Sequence, residues 1–362
     1  MTECKKCLMN SNVPEFVTTT DGCNYCDAMY NENNQELLSE EERKKFINNV
    51  KISGKNKPYD CIIGVSGGLD SSYALHLAVK EGLRPLAVHM DNGWNSELAQ
   101  NNIANLVSEL DVDLYTHVID WDEYRVMMQS FFDADVIDIE LLYDNAMLAV
   151  NYKLARKYNL KYILAGTNNA TEGIPMPKGW NWYKYDKKNI KSICSKFASK
   201  GNERSFPYIS TLDRVMFRQV QKINWVSFLD YFQYNKETAK ALLVDNYKYK
   251  PYPYKHYESV FTRFYQGYIL PEKFNVDKRL PHLSALVVNG QISKAEGLEI
   301  LKASPYPSDR DLELDKEYFL KKMGWSESNL IDYLNRPEVG HDRYGSEVPL
   351  SQLVGKVKKW IQ

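Results

Sequence analysis

Residues 64–72 read GVSGGLDSS and follow directly on the apolar run Cys61, Ile62 and Ile63. An apolar run of strand length that breaks into a glycine pair and then a helix-compatible stretch is the local signature of an anion site. The strand delivers the turn, the glycines let the backbone close on a ligand, and the first helical amides face it with the positive end of their dipole. The GxxxxGK[ST] pattern with its phosphate-gripping lysine is absent, and so is GxGxxG. In their place stand Gly67 and Gly68, the hydroxyls of Ser66, Ser71 and Ser72, and Asp70 near the start of a helix that opens at about Leu69. A carboxylate pressed against phosphate repels it, so Asp70 implies a bridging cation, most simply Mg²⁺.

Outward from this loop, apolar runs of strand length recur at 61–65, 85–90, 114–119 and 162–165, with helix-period stretches such as 70–80 and 96–110 between them. Alternating strand and helix predicts an α/β fold, a Rossmann-like parallel sheet covered on both faces. Ligands bind such sheets beyond the carboxyl ends of the strands, where GVSGGLDSS, HMDNGW (89–94) and AGTNNATEG (165–173) all fall. Upstream, 31–35 is polar and linker-like, and Ser39 with Glu42 forms a capping box opening a charged helix to about Val50. Beyond Gly173 the periodicity weakens through a stretch rich in Trp, Tyr and Lys. Helical patterns return around 211–234 and 284–302, so the C-terminal region reads as mainly helical. The division expected is a cysteine module at 1–35, a linker helix at 36–58, the α/β domain at 59–235 and a helical substrate-binding region at 236–362.

The 362 residues are 44% hydrophobic, enough for a sizeable core, and no apolar run approaches the roughly 18 residues that cross a bilayer. The N-terminus has no signal-like pattern, so a cytoplasmic location without membrane insertion is expected. With 46 basic and 47 acidic residues, no nucleic-acid partner is expected. Of six cysteines, four form CKKC and CNYC, separated by fifteen residues. In a reducing compartment this spacing predicts a closed structural zinc site on Cys4, Cys7, Cys23 and Cys26 rather than disulfides.

SGGLDS resembles the pyrophosphate loop (PP-loop) of the adenine-nucleotide α-hydrolase-like ATP pyrophosphatases. By that resemblance Ser66, Gly67, Gly68, Asp70, Ser71 and Ser72 hold the β,γ-phosphates of ATP while its α-phosphate is attacked, giving AMP and pyrophosphate. VHMDNGW resembles the family's adenosine-binding turn, with Asp91 and Gly93 at matching positions. GTNNATE resembles its GTxxxxE segment, in which Thr167 contacts nucleotide and Glu172 helps hold Mg²⁺ or faces the adenylated oxygen; Asp70 and Glu172 are the implied catalytic carboxylates.

Residues 255–301, with DKRLPHLS at 277–284 as the most specific block, resemble the WbpG/PseA-type N-acetyl sugar amidotransferases, as does CKKCLMNS at 4–11. That resemblance implies conversion of an acetamido sugar to its acetamidino form in bacterial surface-glycan synthesis. Ammonia would come from a separate glutaminase with a cyclase-like channelling subunit, since the chain carries no glutaminase triad of its own. A sugar acid would find cations and donors in Lys255, His256, Arg263, Lys278, Arg279 and His282, and Glu258, Thr262 and Gln266 offer polar contacts to hydroxyls or a plain solvated face. The rival reading is a PP-loop tRNA thiolation enzyme, but only Cys61 and Cys194 remain outside the module, far apart and not in a CxxC pair.

Overall fold

The computed structural model describes residues 2–33, 39–198, 205–252 and 257–361. Five parallel strands form one sheet in the order β3-β2-β1-β4-β5: β1 Cys61–Gly64, β2 Pro85–Asp91, β3 Leu114–Val118, β4 Tyr162–Ala165 and β5 Asn224–Ser227. The chain leaves β1 toward β2 on one side and returns as β4 on the other, so the carboxyl end of β1 opens into a crevice at the point where the order reverses.

Period-two alternation divides the core between the two faces of this sheet. Ile62, Leu86, Val88 and Met90 face one cluster, while Cys61, Ile63, Ala87 and Leu164 face the other. The first face is covered by α5 (Trp121–Asp133) and α6 (Leu141–Lys157), and the second by α2 (Glu40–Gly54), α3 (Leu69–Lys80) and α4 (Glu97–Glu109). Helix α2 begins with the expected Ser39/Glu42 capping box and runs to Gly54.

The helical reading of 211–234 needs correction. After the short helix α9 (Thr211–Val215) and a π-turn at Met216–Val220, the chain enters β5, which pairs with β4 in the register Tyr162↔Asn224 to Ala165↔Ser227. Four residues at a sheet edge, the first exposed and the next three half-buried, leave too little alternation to outweigh the helical turns before them.

Between β4 and β5 also lie α7 (Asn169–Glu172) and α8 (Lys187–Phe197). The rest is helical as expected: α10 (Lys236–Tyr247), α11 (Val260–Phe264), α12 (Leu270–Phe274), α13 (Arg279–Val288), α14 (Lys294–Lys302), α15 (Asp309–Met323), α16 (Glu327–Asn335) and α17 (Val348–Ile361). No helix among the described residues is long and apolar enough to cross a membrane. The cysteine module, with α1 (Asn24–Asn33) and two isolated bridges, Glu3↔Asn10 and Thr18↔Cys23, sits against α13 and α14.

Candidate active site

A cavity of about 470 Å³ opens beyond the carboxyl ends of β1 and β4. Its floor is the loop at 64–71. Gly67 has φ +81°, and a Cβ there would come within 2.6 Å of the Ala99 carbonyl, so both conformation and space demand glycine. The loop is braced by its own serines: Gly68 N–H donates to Ser66 Oγ at 3.2 Å, and Ser71 Oγ donates to the Gly68 carbonyl at 3.2 Å. No side chain caps α3, whose N-cap is Gly68, so its first amides are left for a ligand.

Asp70 lines the cavity and accepts a very short hydrogen bond from Tyr234. Burial, reinforced by Asp70, pushes the Tyr234 phenol far above its ordinary range and keeps it a donor. Ser66, Gly68 and Ser71 line the cavity as well; Ser72 does not. One residue further around α3, Ser72 is buried, and its Oγ has no partner among the described residues. The next loop comes close because Gly166 packs on the helix start, where a Cβ would lie 2.7 Å from Ser71 N. This brings Thr167 and Glu172 onto the cavity wall, with Thr167 Oγ1 3.0 Å from Ser227 Oγ of β5.

In the HMDNGW turn the residues that line the cavity are not the two expected. Val88 and Met90 line the cavity, whereas Asp91 and Gly93 do not. Asp91 accepts from Gly93 N–H at 2.8 Å and from Asn95 Nδ2 at 3.1 Å, closing the turn on itself. The Gly93 carbonyl accepts from Lys322 of α15. His89 joins strand to loop, its Nδ1 3.0 Å from the Val65 carbonyl. Backbone pairing of this turn with the C-terminal region, Ser96 N–H to Glu258 O at 2.8 Å and Val260 N–H to Trp94 O at 2.9 Å, sets Glu258 over the loop. A Cβ on Gly68 would lie 3.6 Å from its Oε1.

Most of the expected cationic patch is spent internally. Arg263 grips Asp315 through Nε and Nη2, Lys278 pairs with Glu140 at 3.0 Å, and Arg279 pairs with Asp277 at 2.7 Å while donating to the carbonyls of Ile300, Leu301 and Ala303. None of the three lines the cavity; Arg263 and Lys278 each answer a largely buried carboxylate, and Arg279 is held by the more exposed Asp277. Gln266 donates to Glu140 at 2.8 Å and Thr262 serves the start of α11, so of that trio only Glu258 reaches the cavity. His282 does line it, with Nδ1 3.4 Å from the Thr171 carbonyl. Lys255 and His256 lie outside the described residues.

Sequence reasoning missed the cations that are there. Lys236 and Lys240, four apart on one face of α10, line the cavity together with Glu237. Their i, i+4 spacing directly after Tyr234 was the available signal. Tyr249 and Tyr252 close the rim, and Tyr252 donates to the Gly67 carbonyl at 3.0 Å. From α6 come Tyr143, Met147 and Asn151. Asn151 Nδ2 donates to the Met147 carbonyl at 2.8 Å, and its buried Oδ1 has no partner among the described residues.

Cys4, Cys7, Cys23 and Cys26 are all buried, with their sulfurs within 4.8 Å of one another. Cys4 to Cys26 is 3.6 Å, Cys23 to Cys26 is 3.7 Å and Cys7 to Cys23 is 3.8 Å. A tetrahedral Zn²⁺ with Zn–S bonds of about 2.3 Å separates its sulfurs by about 3.8 Å, so the donor set fits that ion without rearrangement. Backbone N–H groups of Lys6, Cys7 and Met9 point at the sulfurs of Cys4 and Cys7 at 3.3–3.4 Å, as suits thiolates. As bare thiols these groups conflict: bonds from Cys26 and Cys7 hold Cys23 down to about 2, while bonds to Cys23 and Cys26, with burial, push Cys7 far up. A bound dication removes the conflict by stabilising every thiolate. The carboxylates at the cavity form no comparable cage among the described residues. Asp70 and Glu172 instead suit Mg²⁺, which is commonly held by one or two carboxylates together with substrate phosphates.

Comparison with known proteins finds matches over two segments of the chain. Residues 40–175 match the NAD synthase family model, and residues 258–358 match that of the LPS biosynthesis protein WbpG-like, C-terminal domain. No curated protein matches the chain. Among solved structures, the NMN synthetase of Francisella tularensis is similar at 19% identity, covering 61% of this chain and all of that one, with a TM-score of 0.30. The NH3-dependent NAD synthetase of Campylobacter jejuni has 15% identity, covering 57% and 91%, with a TM-score of 0.29. A predicted subunit of tRNA methyltransferase from Methanocaldococcus jannaschii has 13%, covering 50% and 74%, with a TM-score of 0.28. The chain thus joins a segment similar to NAD synthase, which carries the SGGLDS loop, to a segment similar to the WbpG-like C-terminal domain.

Proposed function

We propose that this protein is an ATP-dependent amidotransferase of glycan biosynthesis, which converts the acetamido group of a bacterial sugar to an acetamidino group and releases AMP and pyrophosphate. The observation that carries the reading is a single cavity lined both by the SGGLDS loop and by His282 of the WbpG-like region.

An amide carbon is a poor electrophile and its oxygen a poor leaving group, so ammonia does not displace that oxygen unaided. In the proposed reaction the amide oxygen attacks the α-phosphate of ATP and pyrophosphate leaves. Ammonia then adds to the activated carbon, AMP departs with the oxygen, and the nitrogen sheds a proton to give the amidine. The α3 amides with Ser66 and Ser71 would hold the departing pyrophosphate, and Lys236 and Lys240 would offset its charge. Asp70 and Glu172 would hold Mg²⁺, which supplies Lewis-acid stabilisation of the phosphate oxygens. Tyr234 orients Asp70 for that task. Asn151 Oδ1, an unsatisfied acceptor in the cavity wall, suits an N–H of the bound ligand.

Against thiolation, Cys61 and Cys194 lie in core clusters on opposite faces of the sheet, and burial pushes the Cys61 thiol far up. Ammonia from a separate glutaminase with a channelling subunit remains part of the proposal. The test is to incubate the protein with ATP, Mg²⁺, an ammonium salt and a panel of N-acetylated bacterial sugars, followed by mass spectrometry. AMP with a product lighter by the difference between an oxygen and an NH supports the reading; a sulfur-bearing product, or AMP with no amidine from any sugar, overturns it.

A further inference from the structure

The four-cysteine centre lies behind one wall of the cavity. Leu8 directly follows the ligand Cys7, and its backbone N–H donates at 3.2 Å to Ser284 Oγ, a fully buried hydroxyl in the middle of α13. The carbonyl of Cys4 itself accepts from Lys294 Nζ of α14 at 2.6 Å. The Leu8 side chain fills the remaining gap so closely that a Cβ on Gly297 of α14 would lie 2.8 Å from it.

On α13, His282 and Leu286 are four residues apart and share the face that lines the cavity. Ser284 is two residues from each, about 200° around the helix, and so turns to the module. The same helix also holds the nucleotide loop. Asn289 Nδ2, at its C-terminal end, donates to the Ala170 carbonyl at 2.9 Å and the Asn169 carbonyl at 3.2 Å, and Asn169 opens the short α7 that ends in Glu172. A contiguous path therefore runs from the ligand Cys7, through Leu8 and α13, to both the acceptor wall and the Glu172 loop, while Cys4 is tied to the neighbouring α14.

We infer that metal on the cysteine centre and nucleotide in the cavity are thermodynamically linked through α13, with Ser284 as the positioning residue. The inference rests on reading the cavity as an ATP site. The four cysteines fix the chain from which Leu8, Met9 and Val13 reach into the core, so losing the metal loosens one anchor on α13, through Ser284, and one on α14, through Lys294. Linkage is reciprocal: if metal fixes the wall that nucleotide needs, nucleotide holds the metal more tightly by the same factor.

The experiment uses the full chain loaded with zinc. ATP with excess Mg²⁺ is titrated by calorimetry before and after zinc is stripped, and zinc release to a chromogenic chelator is timed with and without MgATP. Stripping is expected to weaken ATP at least about fivefold, and MgATP to slow zinc release by a similar factor. Ser284→Ala, which leaves all four cysteines in place, is expected to bind a full equivalent of zinc while losing ATP affinity and the protection of zinc by MgATP. Equal ATP affinity in folded loaded and stripped protein, or zinc release indifferent to MgATP, overturns the linkage alone. If stripping unfolds the chain, a Ser284→Ala protein with wild-type ATP affinity overturns it. Failure of loaded wild-type protein to bind MgATP at all overturns the nucleotide reading with it.

Discussion

The two walls of the cavity are built differently. The nucleotide side is a short-range object: within residues 61–72 a strand, a glycine with positive φ, a pair of bracing serines and an uncapped helix start assemble an anion cradle. The rest of the lining is long-range. Tyr143, Asn151, Lys236, Tyr252, Glu258 and His282 come from five separate stretches, held in place by ion pairs such as Arg263–Asp315 and Lys278–Glu140. A backbone cradle is specified by its own sequence; a wall of this second kind exists only if distant partners meet.

The sharpest way to break this contrast is Arg263→Ala. If Arg263 is a strut, its loss leaves the buried Asp315 charge with only the Tyr306 hydroxyl to answer it, and stability falls by about 3–5 kcal/mol, read from urea unfolding. A folded, wild-type-stable variant that merely binds sugar less well would instead make Arg263 a substrate contact. On the cradle side, Asp70→Asn removes charge where pyrophosphate develops. Turnover should fall by about 100- to 1,000-fold with the fold intact, measured as AMP release.

The next effect is one of pH and belongs to the long-range side. His341 is buried against Trp182; its Nε2 accepts the Asp138 N–H at 3.1 Å and its Nδ1 faces Asn189 Oδ1 at 2.8 Å, an arrangement that holds the neutral ring. Burial lowers its pKa from 6.5 to about 4. The unfolded chain therefore binds this proton first, and the stability conferred is complete above about pH 6.5 and lost as pH falls through about 4. The loss is on the order of 3 kcal/mol, and His341→Asn should flatten that slope in denaturation measured across pH.

Smallest and most pointed is a neighbouring pair. Ser71→Ala removes a hydroxyl that braces the loop and lines the cavity, and should weaken ATP by about tenfold. Ser72→Ala deletes a buried, unpartnered hydroxyl, so ATP affinity should not change and melting temperature should hold or rise slightly. Equal effects from both would mean the loop's facing has been misread.

The same contrast explains what was legible in advance. The strands around GVSGGLDSS, the loops at their ends and the four cysteines announce themselves through local pattern. Arg263, Lys278 and Arg279 announce only positive charge; their partners Asp315 and Glu140 lie far off in sequence, and even the near neighbour Asp277 gives no sign of pairing until α14 closes over it. Asp91 and Gly93 occupy the positions the resemblance assigns them, yet their atoms close a turn rather than line the cavity. Strand β5 was hidden because an edge strand of four residues carries almost no periodicity.

Trp94 ends the HMDNGW turn of the nucleotide domain, but its fully buried indole sits among Phe261, Tyr318 and Phe319 of the C-terminal helices, with ring centroids 5.4, 5.9 and 6.1 Å away. Each half thus supplies part of the other's interior. Neither could be exchanged between relatives as a cassette without uncovering aromatic surface, so recombination boundaries within this lineage should avoid the stretch between Trp94 and Phe319. Calorimetry should accordingly record one cooperative endotherm, with tryptophan fluorescence reporting the unfolding of both halves together.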